Sequence, residues 1–170
     1  TWGAPTAVTA APTRGDPHPS LVLDDAGMMY VAYGDFAYGT GLRGNIKLAK
    51  KPFGSGAWSL FKQVNSPDTT STNDWCYHEQ PQMAVAGSVL HAVWQGCVPW
   101  TRGLYYSTSA DGGATWSATS RKLVTVDETG FRPALAVNPE EVSMVYPSPV
   151  DNKFYSAALR GGTWYTGTLL

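Results

Sequence analysis

Apolar positions along this chain fall into short runs of four or five, alternating with polar residues or standing together, and Gly, Pro, Asn or Asp separates each run from the next. The runs recur. Pro19-Ser20-Leu21-Val22-Leu23, followed by Met29-Tyr30-Val31-Ala32-Tyr33, parallels Pro81-Gln82-Met83-Ala84-Val85 with Leu90-His91-Ala92-Val93-Trp94. Both parallel Pro133-Ala134-Leu135-Ala136-Val137 with Val142-Ser143-Met144-Val145-Tyr146. Each line reads as an apolar strand, a turn and a second strand ending on an aromatic. A third strand follows in each repeat, over Ile46 to Ala49, Leu104 to Ser109 and Phe154 to Leu159. Each leads through a Gly-containing turn into a fourth strand headed by Trp58, Trp116 or Trp164. No stretch of a dozen residues holds the 3.6-residue period of an amphipathic helix, so the pattern predicts an all-β chain.

The repeat length of about 50 to 60 residues is that of propeller blades. The expected architecture is therefore a β-propeller-type domain of three four-stranded antiparallel blades, over 18–65, 79–126 and 131–170. An extra outer strand is expected over residues 1–10, because Thr1-Trp2-Gly3-Ala4-Pro5-Thr6-Ala7-Val8 looks like a fourth strand with no blade before it. Three blades are too few to close a ring. Either identical chains assemble, a homo-oligomeric dimer of six blades being the simplest geometry, or the chain is a piece of a longer propeller. A β-sandwich is the alternative fold.

With 170 residues and 43% apolar content the chain suits one domain with a substantial core. Seven Trp, nine Tyr and 18 Gly against 15% charged residues make a strand-and-turn composition. Twelve basic and 13 acidic side chains without a basic run offer no footprint for nucleic acid or anionic lipid. No apolar run is long enough to insert into a membrane, and no P-loop, HExxH, GxSxG or clustered Cys/His pattern calls for a cofactor or a metal.

The densest local signal is Ser109-Ala110-Asp111-Gly112-Gly113-Ala114-Thr115-Trp116. Its Asp can accept hydrogen bonds from its own turn, its glycines supply left-handed backbone, and its Trp can drop between sheets. Ser109, Asp111, Gly113, Thr115 and Trp116 match the signature positions of the Asp box (S-x-D-x-G-x-T-W), and the run resembles that of the bacterial neuraminidase repeat family. That resemblance implies a sialidase-like β-propeller and a carbohydrate as partner, with the box itself structural. The first and third repeats carry Gly54-Ser55-Gly56-Ala57-Trp58 and Arg160-Gly161-Gly162-Thr163-Trp164, without the Asp.

Cys76 and Cys97 flank the first two strands of the second repeat, where both connections emerge on one face; a disulfide is expected there, and with it a secreted, extracellular setting. The same face gathers the long connections, whose Asp35, Asp74, Trp75, Tyr77, His78, Glu79, Trp100, Arg102 and Arg132 suit sugar recognition: rings stack on apolar sugar faces while charged groups bond hydroxyls. Sialidases of the family use three Arg, an Asp acid/base and a Tyr nucleophile with a Glu partner. Phe131-Arg132-Pro133 resembles the family's F/Y-R-I-P motif but lacks the Ile and lies in the third repeat, so no catalytic residue is assigned. His18, Gln80 and Arg132 precede the blade-opening prolines and should face the channel mouth. The leading expectation is a lectin-like protein that binds glycans or glycoconjugates and gains multivalency by self-assembly. A sialidase-type glycoside hydrolase and a protein-binding structural propeller are the alternatives.

Overall fold

The computed structural model describes residues 7–8, 18–37, 42–54, 56–65, 78–97, 102–117, 121–125, 132–148 and 150–169; at 36–37, 42–43, 60–61, 97, 102, 121–125 and 166–169 it describes the backbone only. The described secondary structure is entirely β, in three antiparallel four-stranded sheets whose strands follow chain order. The first holds β1 (Ser20–Leu23), β2 (Met28–Ala37), β3 (Leu42–Pro52) and β4 (Ser59–Gln63). The second holds β5 (Glu79–Ala86), β6 (Val89–Cys97), β7 (Arg102–Ser109) and β8 (Arg121–Thr125), and the third β9 (Ala134–Val137), β10 (Glu141–Ser148), β11 (Lys153–Arg160) and β12 (Thr163–Leu169). The expected outer strand over 1–10 lies, apart from residues 7–8, outside the described residues.

Neighbouring hairpins give each sheet two faces, and both are apolar, so the sheets stack face to face as blades. Between the first and second lie Tyr30, Ala32, Leu48, Met83, Trp94 and Tyr105, joined by partly buried Val22, Val85 and Trp116. Between the second and third lie Val93, Leu104, Met144, Tyr146 and Ala157, with Leu135, Tyr155 and Trp164 packed against them. Tyr106 meets the Trp164 ring edge to face, with centroids 5.1 Å apart. The inner strands are neighbours: β5 touches both β1 and β9, and the Met83 amide donates to Ser20 Oγ at 2.9 Å.

One expected boundary is corrected. The fourth strand of the second blade starts at Arg121 rather than at Trp116. Trp116 instead closes the preceding turn, its ring packed against the core between blades one and two, and the next amide, of Ser117, donates to Thr108 O at 2.8 Å.

Candidate functional site

Each inner strand enters from the same end of its blade, the end that also carries the β2–β3, β6–β7 and β10–β11 connections. His18, Gln80 and Arg132 stand at this loop end, each just before a proline. Proline restricts the residue before it to extended backbone, yet His18 has φ 38° and Gln80 φ 54°, both in the left-handed region. Such conformations cost on the order of 1–3 kcal/mol each and persist only where the surroundings impose them. At Gln80 the consequence is a register shift between Glu79 and Gln82, a bulge that redirects the strand entry. The Gln80 Oε1 is buried and has no hydrogen-bond partner among the described residues.

Around it the loop end is polar above and aromatic below. Asp35 is exposed near the end of β2, opposite Asn45, and its charge adds to burial in raising the Tyr33 phenol. Glu79 opens β5 opposite Gln95, half-buried, and Arg132 is exposed. In the third blade Tyr155 donates to Asp151 Oδ2 at 2.7 Å, which holds that carboxyl below its ordinary value, and stacks on Tyr146 with centroids 6.1 Å apart. From the sequence both tyrosines read as strand residues rather than as part of this face.

His78 departs from expectation. It was expected among the sugar-facing residues, but it is 3% exposed, and its Nδ1 accepts a hydrogen bond from Trp94 Nε1 at 2.9 Å. Its ring meets Tyr105 edge on, and it fits because residue 96 is glycine: a Cβ there would lie 2.8 Å from His78 Cε1 and 3.1 Å from the Tyr105 ring. Asp74, Trp75, Tyr77, Trp100 and Cys76 lie outside the described residues, as do the side chains of Cys97 and Arg102, so the expected disulfide falls outside them too.

The Asp-box residues lie at the opposite end of the blades. Asp111 Oδ1 accepts from Ser109 Oγ at 2.7 Å and from the Thr115 amide at 2.9 Å, and its Oδ2 accepts from Thr115 Oγ1 at 2.5 Å. These bonds hold the carboxyl at about 2. Gly112 and Gly113 take left-handed backbone, at φ 66° and 85°, and Lys50 Nζ donates to Gly112 O at 2.9 Å, tying the first blade to this turn. Between blades two and three the corresponding turn is the shorter Arg160–Thr163 connection, and a cleft of about 410 Å³ opens there, lined by His91, Glu140, Glu141, Val142 and Leu159 among others. His91 Nδ1 lies 2.6 Å from the Tyr106 hydroxyl, and burial lowers the His91 pKa. Among the described residues no three His, Cys, Asp or Glu side chains are grouped as a metal site.

No family model matches this sequence, and no curated protein matches it. Solved structures do match it in shape. A fructofuranosidase from Schwanniomyces occidentalis complexed with fructosylnystose superposes with TM-score 0.67 at 15% identity, over 96% of this chain and 35% of that one. A family 117 glycoside hydrolase produced by Zobellia galactanivorans gives 0.65 at 14% identity, over 99% of this chain and 51% of its own. The Hadza microbial sialidase Hz136 gives 0.55 at 14% identity, over 90% and 37%. The fold is that of a β-propeller. The described sheets form part of one, and the chain spans between about a third and a half of the length of these three proteins.

Proposed function

We propose that this chain is a carbohydrate-binding protein, lectin-like in action, whose loop face receives a glycan. The observation that carries the reading is Gln80 Oε1 at the strained entry to β5, which has no hydrogen-bond partner among the described residues and could accept from a sugar hydroxyl. It stands at the same end as exposed Asp35 and Arg132, on a fold shared with proteins whose names are those of sugar hydrolases. Carboxylate, amide and guanidinium groups bond hydroxyls in pairs, and Trp75, Tyr77 and Trp100, with Asp74, Glu79 and Arg102, complete the set that stacks on and orients a sugar ring. A Cys76–Cys97 disulfide would pin those aromatics, and an extracellular setting goes with it.

A second reading, glycoside hydrolysis, is favoured by the names of the same structural neighbours. It needs two carboxyl groups about 5–10 Å apart across the scissile bond, and Asp35, Asp74 and Glu79 are the acids available to it.

Calorimetric titration with sialosides, fructans and arabino-oligosaccharides, alongside a glycan array and fluorogenic versions of the same sugars, separates the two. Binding without turnover, weakened about tenfold or more by Gln80→Leu (one hydrogen bond to a ligand,), is the expected result. Turnover abolished by Asp35→Asn or Glu79→Gln would replace the lectin reading by the hydrolase. Absence of binding to every sugar by the folded chain would defeat both.

A further inference from the structure

The two blade junctions inside the chain are built on one plan but are filled differently at the Asp-box end. Between the first and second blades, Tyr30 on β2 stands opposite Lys50 on β3, and both side chains reach the turn that carries Gly112. Lys50 Nζ donates to Gly112 O at 2.9 Å and lies 6.0 Å from the centroid of the Tyr30 ring. A Cβ on Gly112 would stand 3.3 Å from that nitrogen and 3.4 Å from the Tyr30 hydroxyl. A lysine and a tyrosine thus fill the space against the turn.

Between the second and third blades the same register positions hold smaller residues. His91 on β6 stands opposite Thr108 on β7, as Tyr30 stands opposite Lys50. The third blade's turn consists of Gly161 and Gly162, and nothing lies within 4 Å of a Cβ at either one. The cleft of about 410 Å³ is the space left by these differences, and it falls within the range of about 300–1,000 Å³ that small-molecule sites occupy. Both walls belong to blades whose four strands are all present, so the cleft owes nothing to the outer blade faces.

The lining suits the group that is missing. Ala86, Val89, Val142 and Leu159 give it an aliphatic wall, while Glu140 is exposed on it and Glu141 half-buried. Among the described residues no Lys or Arg lines the cleft, and the Arg160 guanidinium beside it is engaged by Glu141 Oε2. The bonds from Arg160 and then Ser143 hold the Glu141 carboxyl below its ordinary range, so it is ionised at neutral pH. Burial lowers the His91 pKa, so the imidazole adds no opposing charge there. Carboxylates attract an ammonium, and an aliphatic wall covers the stem that carries it.

We propose that this cleft binds a primary ammonium group on a short aliphatic stem, seated between the second and third blades as Lys50 is seated between the first and second. Free polyamines and peptide lysines both carry that group. Titration of the chain with cadaverine and with Nα-acetyl-lysine N-methylamide, followed by NMR, tests the proposal. Saturable shifts are expected at the Val89, His91, Glu141 and Gly161 amides with a Kd of about 1 mM or tighter, and 1-pentanol should produce none. The tighter of the two amines identifies the source. Glu140→Gln/Glu141→Gln removes both carboxylates and should weaken binding about tenfold or more. Thr108→Lys puts a lysine at the register position of Lys50 and should weaken it by a similar factor, because the chain then supplies its own ammonium. Both variants are checked for a native thermal transition. Absence of saturation up to about 20 mM amine, an equal response to 1-pentanol, or unchanged binding in either folded variant overturns the proposal. The cleft lies at the end opposite the loop face and no probe is a sugar, so this proposal and the glycan reading fail independently.

Discussion

Gly96→Ala adds one methyl group at a point where the structure has no room for it. Gly96 lies in β6 between Gln95 and Cys97, and the new Cβ would overlap the ring of His78 and approach Tyr105 to 3.1 Å. His78 and Tyr105 are 3% and 2% exposed, and Trp94, which donates to His78 Nδ1, is 0% exposed. Overpacking a filled core costs about 1–3 kcal/mol. If the imidazole yields instead, the buried indole N–H loses its acceptor, a penalty of about 1–3 kcal/mol. Either way the destabilisation is about 1–3 kcal/mol, or roughly 2–12 °C in Tm for a chain of this size. The assay is urea denaturation followed by tryptophan fluorescence, with Gly56→Ala as the control, since nothing lies within 4 Å of a Cβ there. That control should stay within about 0.5 kcal/mol of the parent, as surface changes do. His78→Ala removes the obstacle, so the double variant should be more stable than the sum of the single losses by about 1 kcal/mol or more. Gly96→Ala within 0.5 kcal/mol of the parent, or strict additivity with His78→Ala, would refute the packing argument.

Leu48→Ala empties a position that is 0% exposed between the first two blades and should cost about 2–5 kcal/mol in urea denaturation. Asp111 titrates at about 2 when folded against an ordinary 3.8, so its contribution is full above pH 4 and is lost as pH falls through 2; Asp111→Asn should flatten that acid limb in Tm measured from pH 5 to 2. His91 is the reverse chemical type with the same pH sense: burial depresses its folded pKa below 6.5, so the unfolded chain takes up the proton first and stability declines as pH drops below 6.5. Replacing it in His91→Gln should remove that part of the slope between pH 7 and 5, read by denaturation midpoints, and an unchanged slope would show the imidazole to be freely protonated.

What the sequence determined is local and repetitive. Strand, turn and strand in three copies, the prolines that open the inner strands, and the hydrogen-bonded turn from Ser109 to Thr115 all depend on residues a few places apart, whose conformational preferences are written in the residue types themselves. Tertiary structure decided the rest. His78 sits between Tyr77 and Glu79 and reads as part of an exposed cluster; its burial depends on a glycine 18 positions away that leaves space across the sheet. Gln80 was legible as a residue at the channel mouth, but its left-handed backbone and the bulge beside it are visible only once Pro81 and the β5–β6 register are fixed. Leu21 and Met83 are alike in sequence position and opposite in exposure, because burial belongs to the neighbouring blade and not to the residue.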